Sequence, residues 1–114
     1  MFNFLKKLVS SGEKPYENLE ADEFQERMKL GAKEVVLIDV RSQGEVNSGK
    51  IRGARNIDIM RPDFKEKVSQ LDKSKTYLLY CRSGRRSARA CKIMAKQGFT
   101  KLVNLKGGYM GWPY

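Results

Sequence analysis

The sequence contains no histidine, and this absence narrows the chemistry available to it. Without imidazole there is no Ser-His-Asp triad, no Cys-His dyad and no histidine-ligated metal site. Only two cysteines are present, too few for the disulfide framework of a small secreted protein or for a four-ligand zinc site. We therefore expect free thiols in a reducing, cytoplasmic setting, and no metal or other cofactor is predicted. No run of residues approaches the roughly 20 apolar positions of a membrane span.

Acidic residues are absent from the last third of the chain, since none follows Asp72. The 114 residues contain 23 Lys and Arg against 13 Asp and Glu, which gives a net charge of +10. Residues 1–34 carry six bases and seven acids, whereas residues 35–114 carry seventeen bases and six acids. This charge predicts an anionic partner, for which acidic lipid and a small oxyanion are both candidates. No nucleic-acid-binding motif is present, so DNA or RNA is not the predicted partner.

Strand and helix patterns alternate along the chain. Strands are predicted at residues 16–19, 35–38, 76–80 and 102–105, with a turn into a further short strand at 51–57. Helices are predicted at 21–30, 42–48, 62–70 and 87–97, followed by a last turn at 109–112. Apolar strands in this alternation predict an α/β domain whose mostly parallel sheet is covered on both faces. Ligands of such folds bind beyond the carboxyl ends of the strands.

Residues 1–14 form a predicted amphipathic arm in which two lysines interrupt a set of apolar side chains. That set is Phe2, Phe4, Leu5, Leu8 and Val9. Three interpretations are left open: the arm packs on the domain, it frays, or it touches a membrane surface. One domain is predicted for residues 15–114.

Cys81 is the strongest candidate for a reactive group. The segment YCRSGRRS at residues 80–87 places this cysteine at the end of a buried strand, with five residues between it and the predicted start of a helix at Ser87. A tight loop there turns its N–H groups toward the sulfur, and the helix N-terminus adds partial positive charge. Together with Arg82, Arg85 and Arg86, these surroundings are of the kind that lower a thiol pKa. Gly84 suits a position of positive φ or of close ligand approach.

Cys91 gives a different pattern. It lies at the centre of the apolar arc of the predicted helix 87–97, so a packed core thiol is the prediction. The alternative is a resolving cysteine that forms a disulfide with Cys81.

Three segments in combination resemble the single-domain rhodaneses, the thiosulfate sulfurtransferase family. Residues 80–87 are similar to the family's active-site loop, residues 37–57 to its first signature, and VNLKGG at 103–108 with Trp112 to its last. Lys50 stands where the family usually has histidine. The resemblance covers residues 15–114 and implies a three-layer rhodanese-like α/β fold with a mostly parallel central sheet and helices on both faces.

The resemblance also implies a reaction. The Cys81 thiolate attacks the outer sulfur of a donor such as thiosulfate, becomes a persulfide, and passes the sulfur to a thiol or to cyanide. The implied substrate-binding loop comprises Arg82, Ser83, Gly84, Arg85, Arg86 and Ser87. Asp39 and Arg41, at the end of the neighbouring strand, shape the rim of the site or form an ion pair that supports it.

Two alternatives stay open at this point. A sulfur relay between proteins would use the same persulfide and differ only in its partners. A Cys-based phosphatase or arsenate reductase has five residues between its cysteine and arginine, whereas Arg86 comes one position earlier here.

Overall fold

A sheet of five parallel strands forms the centre of the part of the chain that the structure describes. The computed structural model describes residues 14–31 and 33–114, so nearly all of the predicted arm at residues 1–14 lies outside the described residues. The strands are β1 (Glu17–Leu19), β2 (Val35–Asp39), β3 (Arg55–Asn56), β4 (Thr76–Tyr80) and β5 (Leu102–Leu105). Their order is β1-β5-β4-β2-β3, and every pairing is parallel.

Helices cover both faces of this sheet. They are α1 (Ala21–Lys29), α2 (Gln43–Asn47), α3 (Phe64–Ser69) and α4 (Arg85–Lys96), with a 3₁₀ turn at Tyr109–Gly111. Strand side chains alternate between the faces. In β4, Tyr77 and Leu79 join the core beneath α3 and α4, whereas Leu78 and Tyr80 join the core that includes Phe24 of α1. The predicted three-layer α/β fold with helices on both faces is confirmed.

The start of α4 differs from its predicted position. The helix begins at Arg85, two residues before the predicted Ser87. Ser87 has the side chain of a favoured N-cap, but its hydroxyl points to the Cys81 sulfur instead. The residue before the helix is Gly84, with φ of +99°, and its carbonyl accepts the Ala88 N–H. The loop after β4 is consequently shorter than expected, and Arg85 and Arg86 belong to the first helical turn.

The carboxyl ends of β2 and β4 lie side by side, because Asp39 pairs in register with Tyr80. The segments that follow these two strands therefore leave the sheet at the same edge. No helix within residues 14–31 and 33–114 is long and apolar enough to cross a membrane.

Candidate active site

Cys81 lies in the loop that joins β4 to α4, and its side chain is completely buried. Three groups donate hydrogen bonds to its Sγ atom. These are the Gly84 N–H at 3.1 Å, the Ser87 N–H at 3.4 Å and the Ser87 hydroxyl at 3.4 Å. The loop thus turns its donors onto the sulfur, as the sequence pattern predicts. Donors of this kind stabilise negative charge on a sulfur atom and on a group attached to it.

Two opposing effects set the pKa of the Cys81 thiol. Burial raises it, because a thiolate is poorly solvated inside the protein. Hydrogen bonds from the Ser87 hydroxyl and from the Ser87, Gly84 and Ser83 N–H groups lower it and outweigh burial. The pKa is therefore below the ordinary thiol value. Hydrogen bonds within the loop are the main cause of this lowering, and the Arg86 guanidinium and the Cys81 thiolate also attract each other.

Removing the Ser87 hydroxyl is a direct test of this balance. In Ser87→Ala the backbone donors remain and the hydroxyl donor is lost, so the pKa of Cys81 should rise. The midpoint of the pH dependence of iodoacetamide alkylation at Cys81 should therefore move to higher pH. An unchanged midpoint in a normally folded variant would show that the hydroxyl does not stabilise the thiolate.

The loop is held in place from the neighbouring strand β5 and the 3₁₀ turn. Asn104 of β5 donates through Nδ2 to the Gly84 carbonyl at 3.2 Å and to Oδ1 of Asn18 at 2.9 Å. The Tyr109 N–H donates to the Cys81 carbonyl at 2.8 Å, and the Met110 N–H donates to the Arg82 carbonyl at 3.0 Å. These bonds hold the carbonyl groups of the loop and thereby the backbone that carries the donors to the sulfur.

Gly84 and Gly108 permit this close approach of backbone segments. Both have positive φ, at +99° and +64°. A Cβ atom at Gly84 would lie 3.1 Å from the Leu105 carbonyl oxygen. A Cβ atom at Gly108 would lie 2.7 Å from the Ser83 nitrogen and closer still to the Arg82 carbonyl group. The turn at Gly107 and Gly108 therefore packs directly against the loop.

The Arg86 side chain, in the first turn of α4, pairs with an acidic residue of another helix. Its guanidinium forms a bidentate ion pair with Glu45 of α2, at 2.8 and 2.9 Å. Glu45 is itself fixed by a capping box, in which it exchanges hydrogen bonds with Ser42 at the start of α2. This ion pair connects the first turn of α4 to the segment that follows β2.

The Glu45–Arg86 pair should make stability depend on acid pH. The bond from Arg86 is the main reason that the pKa of Glu45 falls from an ordinary 4.5 to about 2. A carboxyl whose pKa is lower in the folded state stabilises the fold above about pH 4.5, and this contribution is lost as pH falls toward 2. After allowance for solvent screening, we expect it to amount to about 1 to 2 kcal/mol.

Glu45→Gln tests this contribution through the free energy of unfolding, measured by urea titration between pH 2 and pH 7. The variant should be less stable than the native chain at pH 7, and the difference should shrink as the pH falls. A difference that is the same at every pH would mean that the carboxylate charge contributes nothing.

Asp39 and Arg41 are both buried and form an ion pair with each other. Arg41 Nη2 lies 2.7 Å from an Asp39 carboxylate oxygen and also donates to the Gly49 carbonyl at 2.6 Å. Its guanidinium carbon lies 4.6 Å from the centre of the Tyr109 ring. Of the two roles expected for this pair, the structure shows the supporting ion pair, set beneath the turn that contacts the Cys81 loop.

The remaining predicted residues separate into exposed and buried groups. Arg82, Ser83 and Arg85 are exposed, so they face solvent around the loop. Cys91 is buried in the core under α4, and burial raises its pKa to about 12. It is a free thiol, which agrees with the predicted core assignment.

Sequence reasoning missed the roles of Glu45 and Asn104 at this site. The capping-box spacing of Ser42 and Glu45 was readable, but the chain gives no sign that Glu45 meets Arg86, 41 residues later. Asn104 did leave a signal, because it is a polar residue in the otherwise apolar strand LVNL. A buried amide needs hydrogen-bond partners, and two of them are Gly84 and Asn18.

Comparisons with known proteins point to one family. A family model described as the rhodanese-like domain matches residues 20–113. The Bacillus subtilis protein named "Putative sulfurtransferase YtwF" is 45% identical over 96 residues, covering 84% of this chain and 81% of that protein. A sulfurtransferase of Allochromatium vinosum is 33% identical over 79 residues, covering 69% of this chain and 72% of that protein.

A comparison with solved structures points to the same family. The crystal structure of a rhodanese-like domain protein from Staphylococcus aureus matches with a TM-score of 0.72 and 27% identity. The match covers 84% of this chain and 90% of that one.

Proposed function

The chain belongs to the rhodanese-like domain family, and from that premise we propose that it is a sulfurtransferase that carries sulfur as a persulfide on Cys81. The observation that supports this most directly is the ring of donors around the Cys81 sulfur, two from backbone N–H groups and one from the Ser87 hydroxyl. These donors lower the pKa of the thiol. They also surround the position at which a second, negatively charged sulfur atom would be attached.

The proposed first half-reaction takes sulfur from thiosulfate. The Cys81 thiolate attacks the outer sulfur of the donor, and a new S–S bond forms at Cys81. The S–S bond of thiosulfate breaks, and sulfite leaves with its electron pair. Charge balances without any proton transfer, because a thiolate and a dianion give a persulfide anion and a dianion.

In the second half-reaction a thiolate or cyanide attacks the outer sulfur of the persulfide. The Cys81 thiolate leaves with the electron pair, and the products are an acceptor persulfide or thiocyanate. Neither step needs a general base when the nucleophile is already ionised. The absence of histidine from the chain is consistent with this chemistry.

The Glu45–Arg86 ion pair weighs against the phosphatase alternative. A phosphate ester bound over the loop needs an arginine fork aimed at its oxygens. The guanidinium of Arg86 is instead taken up by the two oxygens of Glu45. We therefore expect no turnover of p-nitrophenyl phosphate above the rate in buffer.

Mass spectrometry of the intact chain tests the proposed intermediate. Incubation with thiosulfate should add the mass of one sulfur atom, located on the peptide that contains Cys81. Subsequent addition of cyanide should remove that mass and release one equivalent of thiocyanate. A chain that gains no sulfur from thiosulfate and yields no thiocyanate would refute thiosulfate sulfurtransferase activity.

A further inference from the structure

Three arginines in the Cys81 loop and on the first turns of α4 are exposed and have no acidic partner among the described residues. Arg82 lies in the loop, and Arg85 and Arg89 are four residues apart on α4, so they project from the same side of the helix. Among the described residues no carboxylate oxygen lies within 4.0 Å of their guanidinium nitrogens. Neighbouring like charges on a helix repel one another. This arrangement is therefore unfavourable in the isolated chain and favours an anionic partner.

Two exposed methionines flank these arginines. Met110 is 64% exposed, and its N–H is bonded to the Arg82 carbonyl. Met60 is 67% exposed and lines a surface pocket of about 340 Å³ together with Arg89. We refer to Met60, Arg82, Arg85, Arg89 and Met110 as the loop-side patch. It combines positive charge with adaptable apolar side chains.

The extent of the loop-side patch exceeds what a small donor anion needs. Arg85 and Arg89 are separated by about 6 Å along the helix axis, and the two methionines extend the surface further on either side. Thiosulfate offers one compact charged group and no apolar surface. Methionines are common on protein-binding surfaces, because their flexible side chains adapt to a partner. Nucleic acid would instead call for aromatic side chains on which bases stack, and the patch has none.

From these observations we propose that the sulfur acceptor is an acidic protein, which docks its thiol over the Cys81 loop through the loop-side patch. This inference rests on the proposed sulfurtransferase function and specifies the partner of the same site. The acidic side chains of the partner would pair with Arg82, Arg85 and Arg89, while apolar side chains near its thiol would contact the methionines. Complementary charge of this kind chiefly raises the rate of encounter and is weakened by salt.

Synthetic acceptors provide the test, with Cys81 loaded with sulfur in advance so that only the second half-reaction is observed. The acceptors are dithiothreitol, a peptide with one cysteine among glycine and serine residues, and a peptide with one cysteine among aspartate, glutamate and leucine residues. We expect the acidic peptide to react about tenfold faster than the neutral one at 0.1 M salt. This advantage should largely disappear at 0.5 M salt.

Arg89→Glu should remove the preference for the acidic peptide without changing the rate with dithiothreitol. Lys96→Glu is the matched control, because it makes the same charge change on the same helix. Lys96 is exposed and lies about 10 Å further along the helix axis than Arg89, roughly one Debye length at 0.1 M salt. The Lys96→Glu variant should therefore keep most of the preference for the acidic peptide.

Several results would overturn the inference. Equal rates for the two peptides would do so. An equal loss of the preference for the acidic peptide in Arg89→Glu and Lys96→Glu would also do so. Binding of a single-stranded oligonucleotide at concentrations where the acidic peptide does not bind would identify a nucleic-acid surface instead. In each of these cases transfer to dithiothreitol would continue, and the proposed function would stand. Failure of the loaded chain to transfer sulfur to dithiothreitol would refute the proposed function itself.

Discussion

Cys81→Ser should abolish sulfur transfer from thiosulfate to cyanide, with a loss of roughly 10³-fold or more. A serine hydroxyl is not ionised at neutral pH, and it cannot form the sulfur–sulfur bond on which the proposed mechanism depends. The loop should persist, because the donors that face Sγ can bond a hydroxyl oxygen. The measurement is thiocyanate production, accompanied by intact mass after thiosulfate treatment. The variant should gain no sulfur.

Cys91→Ala serves as the control for this result. Cys91 is buried in the core and burial raises its pKa to about 12, so it is not an available nucleophile at neutral pH. We expect activity within about twofold of the native chain, together with a loss of about 1 kcal/mol in unfolding free energy from the smaller side chain. A folded Cys91→Ala chain without activity would give Cys91 a part in the reaction. Turnover by Cys81→Ser would contradict the proposal that Cys81 is the residue that carries the sulfur.

Gly108→Ala should have the second largest effect, although the glycine bears no functional group. The added methyl would meet the backbone of Arg82 and Ser83, with only 2.7 Å left to the Ser83 nitrogen. Backbone atoms cannot rotate away as a flexible side chain can, so the Cys81 loop itself must move. A displacement near 1 Å commonly costs about 10²-fold in rate. The sulfur should also lose donors, so its pKa should rise toward the ordinary value.

Gly107→Ala provides a matched comparison one residue away. Gly107 also has positive φ, at +84°, but a Cβ atom there would have no heavy atom within 4 Å. Gly107→Ala should therefore lose about 1 kcal/mol of stability through the backbone strain of a left-handed alanine, without moving the loop. Thiocyanate production and the pH dependence of Cys81 alkylation should separate the two variants clearly. Equal losses of activity in both would mean that strain in the turn, rather than contact with the loop, is responsible.

The sheet was predictable from the sequence because its central strands carry a strong local signal. The apolar runs TYLLY and LVNL coincide with β4 and β5 as the structure has them. Short apolar runs of this type, separated by helical patterns and glycines, indicate buried parallel strands without any knowledge of their neighbours. The end of β4 in turn indicated where Cys81 lies and why its surroundings hold hydrogen-bond donors.

The start of α4 and the partners of its arginines were not predictable in the same way. Ser87 is an acceptable N-cap by its residue type, and only the position of the sulfur decides that its hydroxyl is used elsewhere. Arg86 could in principle face the loop or the solvent. Its pairing with Glu45 depends on how α2 packs beside α4, which is a property of the whole fold. Charge counted along the chain therefore does not reveal which of these arginines is paired with an acid.

The hydrogen bond between Asn18 and Asn104 joins residues 86 positions apart in the sequence. It belongs to the pairing of β1 with β5, and β1 is a three-residue strand at the edge of the sheet. Asn104 binds both Asn18 and the Gly84 carbonyl, so one amide group connects this edge strand to the loop around Cys81. Loss of β1 from the sheet should leave that amide with one of these two partners and weaken the hold on the loop backbone. Reactivity at Cys81 should therefore report whether the edge strand is in place.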